Sequence, residues 1–174
     1  MTTYSKSAFY DVRNWMLSEL YASGVLRNTD YSNSSPIVPI QQIPEAFDNN
    51  SWQDAGMPAD APFIVYDIIV PGSYDTEYWN MRDEIVLWIY DYDLDKILEI
   101  KELLVDIFRR FDESARDINE FIENTDSPFR FQYFDVYSGL PSDEAKQVLG
   151  RMGVNIVISY QYTRQTQANG RFAS

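Results

Sequence analysis

Residues 84–111 constrain the fold more than any other part of this chain. Glu84 to Tyr90 (EIVLWIY) is a β-prone run that passes through an aspartate-rich turn into a helical segment, Asp93 to Phe111. Leu94, Ile97, Ile100, Leu104, Ile107, Phe108 and Phe111 recur there at three- and four-residue spacing, while Asp95, Glu99, Glu102, Asp106 and Arg109 take the other side. That is the pattern of a helix with one buried face. Asp93 suits its start as a cap, and Arg109 and Arg110 stand at the end where the helix dipole favours cations. Two later segments supply more strands. Phe129, Phe131 and Tyr133 alternate with Arg130 and Gln132 in a segment running to Tyr137. In the last segment, Val154 to Arg164, Val154, Ile156, Ile158, Tyr160 and Tyr162 face one way and Asn155, Ser159, Gln161 and Thr163 the other. The predicted fold class is α+β: a mostly antiparallel sheet of about four strands, a long helix packed across it, and an N-terminal helix.

The N-terminal helix is expected over Tyr4 to Ala22, with Phe9, Val12, Met16 and Leu20 as its apolar stripe, Trp15 beside them and Ser23-Gly24 at its end. Pro36 to Ile43 carries two prolines and reads at most as an edge strand. Phe63 to Val70 is almost wholly apolar, as an inner strand would be. Glu113 to Glu123 reads as a second helix with Ile118, Phe121 and Ile122 inward, and short helices are expected near Trp52 and over Ser142 to Leu149. The last strand is long enough to project beyond its own sheet. The whole, residues 1–174, reads as a single domain. It comprises an N-terminal helix (1–24), a long loop region (25–61), a sheet-and-helix core (62–164) and a flexible tail (165–174).

Composition narrows the function. With 174 residues and 16% aromatics the chain can bury a real core. It contains neither histidine nor cysteine, which excludes disulfides, thiolate metal sites and thiol catalysis and points away from most enzymes. The net charge of −13 is the opposite of a nucleic-acid-gripping footprint. The charge is uneven. From Glu84 to Asp126 there are thirteen acidic and five basic residues, whereas after Glu144 only Lys146, Arg151, Arg164 and Arg171 are charged. No apolar run approaches the roughly 20 residues of a membrane helix, so a soluble protein made in the cytoplasm is expected.

Asp91, Asp93, Asp95 and Glu102 fall at the first, third, fifth and twelfth places of a calcium loop, but Lys96 stands where that loop turns on a glycine, so a capped, acidic helix start is the simpler reading. Asp75 and Glu77 beside Trp79 do not amount to a paired-carboxylate hydrolase site, since nothing fixes two acids across a cleft. No catalytic, cofactor or metal-binding residue is assigned. The candidates are contact residues. Tyr74, Tyr78 and Trp79 lie in a loop (Ser73 to Arg82) too aromatic for a plain solvent tip. Tyr160, Tyr162 and Arg164 end the last strand, and Arg171 lies in the tail.

The order of elements resembles the tail terminator family of long-tailed bacteriophages and the related tail-completion and neck proteins. The residues that carry the resemblance are Phe63–Val70, Glu84–Tyr90 feeding Asp93–Phe111, Phe129–Tyr137 and Met152–Arg164, together with the closing run GRMGVNIVISY. The long 26–61 stretch and the 113–123 helix depart from it. The resemblance implies a virion protein, assembled in the host cytoplasm, that forms a homo-oligomeric ring, a hexamer. The ring would end the tail tube, contact the tail tube protein and the head-tail connector, and let DNA pass without specific binding. It implies no enzymatic activity, no cofactor and no membrane. A different neck role (adaptor or stopper), an acidic inhibitor that mimics DNA, an acid-only hydrolase and a plain binding domain remain as alternatives.

Overall fold

The computed structural model describes residues 8–27, 31, 35–39, 61–69, 80–138 and 152–164. Its elements, in chain order, are α1 (Phe9–Ala22), β1 (Ile37–Pro39), β2 (Phe63–Ile69), β3 (Asn80–Asp91), α2 (Leu94–Phe108), α3 (Asp112–Ile122), β4 (Phe129–Ser138) and β5 (Met152–Arg164). They form an α+β unit around one sheet of five strands in the order β1-β2-β3-β5-β4. β1 runs parallel to β2 and every other pair is antiparallel.

The strand count therefore exceeds the expected four. The proline-flanked segment does form a strand, but a three-residue one at the sheet's edge, where Pro39 has no N–H to be missed. β5 does not project. It lies between β3 and β4 and is paired from Met152 to Arg164, because its length is matched by the twelve residues of β3.

The buried apolar residues of all three described helices belong to one cluster with one face of the sheet. α1 contributes Phe9, Val12, Trp15, Met16 and Leu20, and α2 contributes Ile97, Ile100, Leu104, Ile107 and Phe108. The Trp15 ring meets Phe108 edge-on at 5.4 Å and tilts against Phe134 at 6.0 Å, so one indole joins α1, α2 and β4. The helix boundaries follow local chemistry. Asp93 caps α2 by accepting from Asp95 N–H at 3.0 Å. Ser23 and Gly24 end α1, with Gly24 at φ +79°, a left-handed conformation glycine adopts at little cost.

Three expected inward residues face solvent. Leu94 lies in the first turn of α2, before the helix reaches the sheet, and Phe121 lies on the outer side of α3; both are exposed. Phe111 is exposed because α2 ends before it. Its φ of 53° and ψ of −111° make the break between α2 and α3. Tyr133 is also turned outward. A register shift between Phe131 and Tyr133 adds a residue to β4, so Phe134, not Tyr133, continues the buried row.

On the other face, Val38, Phe63, Val65 and Tyr90 form a second, smaller buried cluster with Trp88 against it. The stretches near Trp52 and over 142–149 lie outside the described residues, as does the tail.

Candidate interaction surface

A sheet edge offers unpaired N–H and C=O groups to any passing strand. Here the outer strand β4 closes its own edge. The N–H groups of Phe129, Phe131, Phe134 and Val136 donate to acceptors outside the sheet ladder. These are Ser127 Oγ at 3.2 Å, Asn119 Oδ1 at 2.8 Å, the Phe111 carbonyl at 3.3 Å and Asp135 Oδ1 at 2.8 Å. Asn119 also donates Nδ2 to the Phe131 carbonyl at 2.8 Å, so its side-chain amide replaces one strand residue. At the opposite edge the Ile37 N–H goes to Ser35 Oγ at 3.2 Å. Contacts with other chains at β4 must therefore be made by side chains.

The side chains at the β4 edge are aromatic. Phe111 stacks on Tyr133, ring centroids 5.4 Å apart and planes 27° from parallel, yet the residues are 43% and 40% exposed. Tyr137, 45% exposed, stands four residues on along the same face of β4. Arg109 is exposed two residues before Phe111. Phe111 keeps this place against its own backbone preference, since a non-glycine residue rarely holds positive φ. Its carbonyl is the reason: it receives both the Phe134 and the Ala115 N–H groups.

Away from β4, the end of α1, the start of β2, the end of β3 and the start of α2 converge on a groove of about 600 Å³. Val25, Leu26, Tyr31 and Pro62 line it, together with the charged residues Arg27, Asp91, Asp93 and Lys96. The Tyr31 hydroxyl donates to the Pro62 carbonyl and fixes one wall.

Inside the molecule is a polar node. The hydroxyls of Tyr160 and Tyr162 donate to Asp83 Oδ2 at 3.2 and 3.0 Å. Asp83 is only 8% exposed. Burial pushes its pKa above the usual carboxylate range, and the bonds from Tyr162 and Tyr160 oppose that rise. Burial, and then the Asp83 charge, drive the Tyr160 hydroxyl well above the ordinary tyrosine value. Nearby in sequence to Phe129, Ser127 donates its hydroxyl to the Asp11 carboxylate, tying α1 to the entry of β4.

The expected contact residues thus divide. Tyr160 and Tyr162 are interior, not surface, because their face of β5 is the one the helices cover. Arg164 is half-buried, its guanidinium 5.8 Å from the centre of the Phe129 ring. Tyr74, Tyr78, Trp79 and Arg171 lie outside the described residues. Phe111, Tyr133 and Tyr137 were not among the expected contacts. The first was read as a core position at the end of a helical stripe, and the bulge that exposes Tyr133 leaves no mark on the alternation.

On α2 the outer side carries Asp95, Glu99, Glu102 and Asp106, all exposed. Asp91 ends β3 and Asp93 is spent as a cap, so the calcium-loop spacing is that of a strand-to-helix joint. Among the described residues no group of three or more acidic side chains is placed to hold a metal ion. None of the described helices is long and apolar enough to cross a membrane. No protein-family model matches this chain, and no curated protein matches it.

Proposed function

We propose that this chain is a structural subunit of a tailed-phage neck: a ring-forming tail terminator that ends the tail tube and joins it to the head connector. The observation that carries the reading is the joint between β3 and α2. A long strand passes through one capping aspartate into the main helix, and β4 and β5 complete the same sheet behind it. This is the order of elements on which the resemblance to the tail terminator family rests.

The surface supports a protein that works by contact. It has aromatic side chains held outward at an edge closed to strand addition, and an acidic outer side on α2. Acidic groups facing a channel would keep DNA phosphates from adhering, since phosphate binding relies on basic contacts. In this reading the partners are further copies of the chain, the tail tube protein and the connector.

The test is the solution mass of the purified protein by light scattering after gel filtration, alone and with tail tubes, backed by negative-stain images. Hexamers, or monomers that form rings when tubes are added, are expected. A monomer that ignores tubes at every concentration rejects the reading and turns attention to an acidic inhibitor, whose target would be a basic nuclease or polymerase.

A further inference from the structure

A buried N–H is seldom left without an acceptor, because the donor has given up water and gained nothing in return. Arg13 is such a case. Its Nε is shielded from solvent and has no hydrogen-bond partner, although the residue as a whole is half-buried and solvent reaches part of the side chain. It also has no carboxylate partner among the described residues, unlike Arg82, Lys96 and Arg110, which pair with Glu84, Glu99 and Asp117. In a chain with 27 acidic residues against 14 basic ones, a half-buried cation with no acid on it calls for a reason.

The fold sets two tyrosines around this cation. Tyr10 lies three residues before Arg13 on the same side of α1, and the guanidinium carbon stands 5.2 Å from the centre of its ring. Tyr66 comes from β2, where its ring meets that of Phe9, at the start of α1, with centroids 4.4 Å apart. Burial raises the Tyr66 pKa, the Arg13 charge lowers it and Tyr10 raises it, so both groups lie within electrostatic reach of the Tyr66 hydroxyl. Tyr10 is 41% exposed and Tyr66 is half-buried. Neither hydroxyl has a hydrogen-bond partner among the described residues. Asp11, two residues from Arg13, is turned to Ser127 instead. Three donor groups therefore stand together without an acceptor.

We infer that Arg13, Tyr10 and Tyr66 form a binding site for one carboxylate group. The charge selects the ligand. One guanidinium matches a single negative charge, and its planar fork of donors suits the two oxygens of a carboxylate. The ligand meets the terminal nitrogens, since Nε faces the protein. The phenol hydroxyls donate to the lone pairs that remain. A phosphate dianion would bring a second negative charge to a chain already at −13, with one cation to meet it. Stacking on Tyr10 holds the guanidinium before any ligand arrives, so less side-chain freedom is lost on binding. The site does not depend on the ring reading. Its carboxylate has two sources, a free small acid or an aspartate or glutamate of a neighbouring copy.

The shielded Nε–H supplies the test. It exchanges slowly with water and is followed in a nitrogen–proton correlation spectrum, where Arg13→Lys identifies its signal by removing it. The probe is sodium acetate, titrated against sodium chloride at constant ionic strength. A saturable shift is expected, half-complete at a concentration about tenfold below that needed for the exposed Arg109. Sodium phosphate should shift the signal less than acetate. Tyr66→Phe should weaken acetate binding about threefold or more, with circular dichroism unchanged. A shift no larger than that in chloride, or one that Arg109 shares equally, overturns the site. So does an unchanged titration in Tyr66→Phe. Solution mass then separates the sources. If acetate at the saturating concentration disperses an assembly that Arg13→Gln also fails to form, the carboxylate belongs to a neighbouring copy. If acetate binds while the mass of wild type and Arg13→Gln stays the same, the ligand is a free small acid. Both of these outcomes uphold the site.

Discussion

Asn119 lies beside Phe131 and binds its backbone on both sides, accepting from the N–H at Oδ1 and donating from Nδ2 to the carbonyl, each at 2.8 Å. A side chain on α3 thus does for β4 what a sixth strand would do. Asn119→Ala removes both bonds and leaves a part-buried N–H and C=O without partners. Stability should fall by about 2 kcal/mol, read as a lower urea midpoint at unchanged slope. The opened edge should also raise concentration-dependent aggregation. An unchanged midpoint and unchanged aggregation would show that solvent satisfies these groups as well as Asn119 does.

Asp83 sets a pH dependence. Its folded-state pKa lies above the ordinary carboxylate value, so the folded form holds the proton more tightly than the unfolded chain. The stability tied to this group is fully present below the unfolded pKa and is lost as the pH rises through the raised folded value. Asp83→Asn cannot ionise and can still accept from Tyr160 and Tyr162. It should therefore match or exceed the wild type at neutral pH, and the gap should change against it as the pH falls through the acidic range. Asp83→Leu instead removes the acceptor shared by two interior hydroxyls, at about 1–3 kcal/mol each. Equal pH profiles for wild type and Asp83→Asn would remove Asp83 as the cause.

Gly153 faces Tyr90 across the β3–β5 pair, and a Cβ built on it would stand 2.5 Å from the Tyr90 ring. That ring is buried and stacked on Phe63 with centroids 5.2 Å apart, so it has little freedom to yield. Gly153→Ala should cost about 1–3 kcal/mol through overpacking. Combining it with Tyr90→Leu should recover part of the loss, measured by thermal unfolding of the two single variants and the double one. Additive losses would place the clash elsewhere.

At Phe111 two effects oppose. Phe111→Gly relieves a positive φ worth about 1–3 kcal/mol of strain and forfeits a ring stack worth about 0.5–1.5 kcal/mol. Net stability should fall between a loss of about 0.5 and a gain of about 2.5 kcal/mol in a denaturant titration. A loss well beyond that would mean the ring supports the fold far more than its exposure implies.

The sequence displayed the elements whose periodicity is uninterrupted. The buried stripes of α1 and most of α2, and the alternation of β5, stand where their apolar spacing put them. What escaped were places where one residue breaks the period. The extra residue between Phe131 and Tyr133 inverts the rest of β4, and the positive φ at Phe111 ends α2 and turns a core-like side chain outward. Asn119 was equally silent, since an asparagine inside a helix shows its purpose only when the edge it covers is known. Tyr160 and Tyr162 show the reverse confusion. Their amphipathic side chains suit a contact surface, but they sit in the core under the helices, where Asp83 on the adjacent strand accepts their hydroxyls.

The place of β5 has a bearing on how the molecule is made. β3 and β4 are not neighbours, and β5, the last of the described strands, lies between them. Until that strand has left the ribosome, β4 has no seat in the sheet, and the inner side of α2 and the Trp15 indole lack the rows from Ile156 to Tyr162 beneath them. The nascent chain must therefore hold its apolar surface open until β5 has emerged. A chain that stops before β5 would leave two half-sheets with nothing to join them.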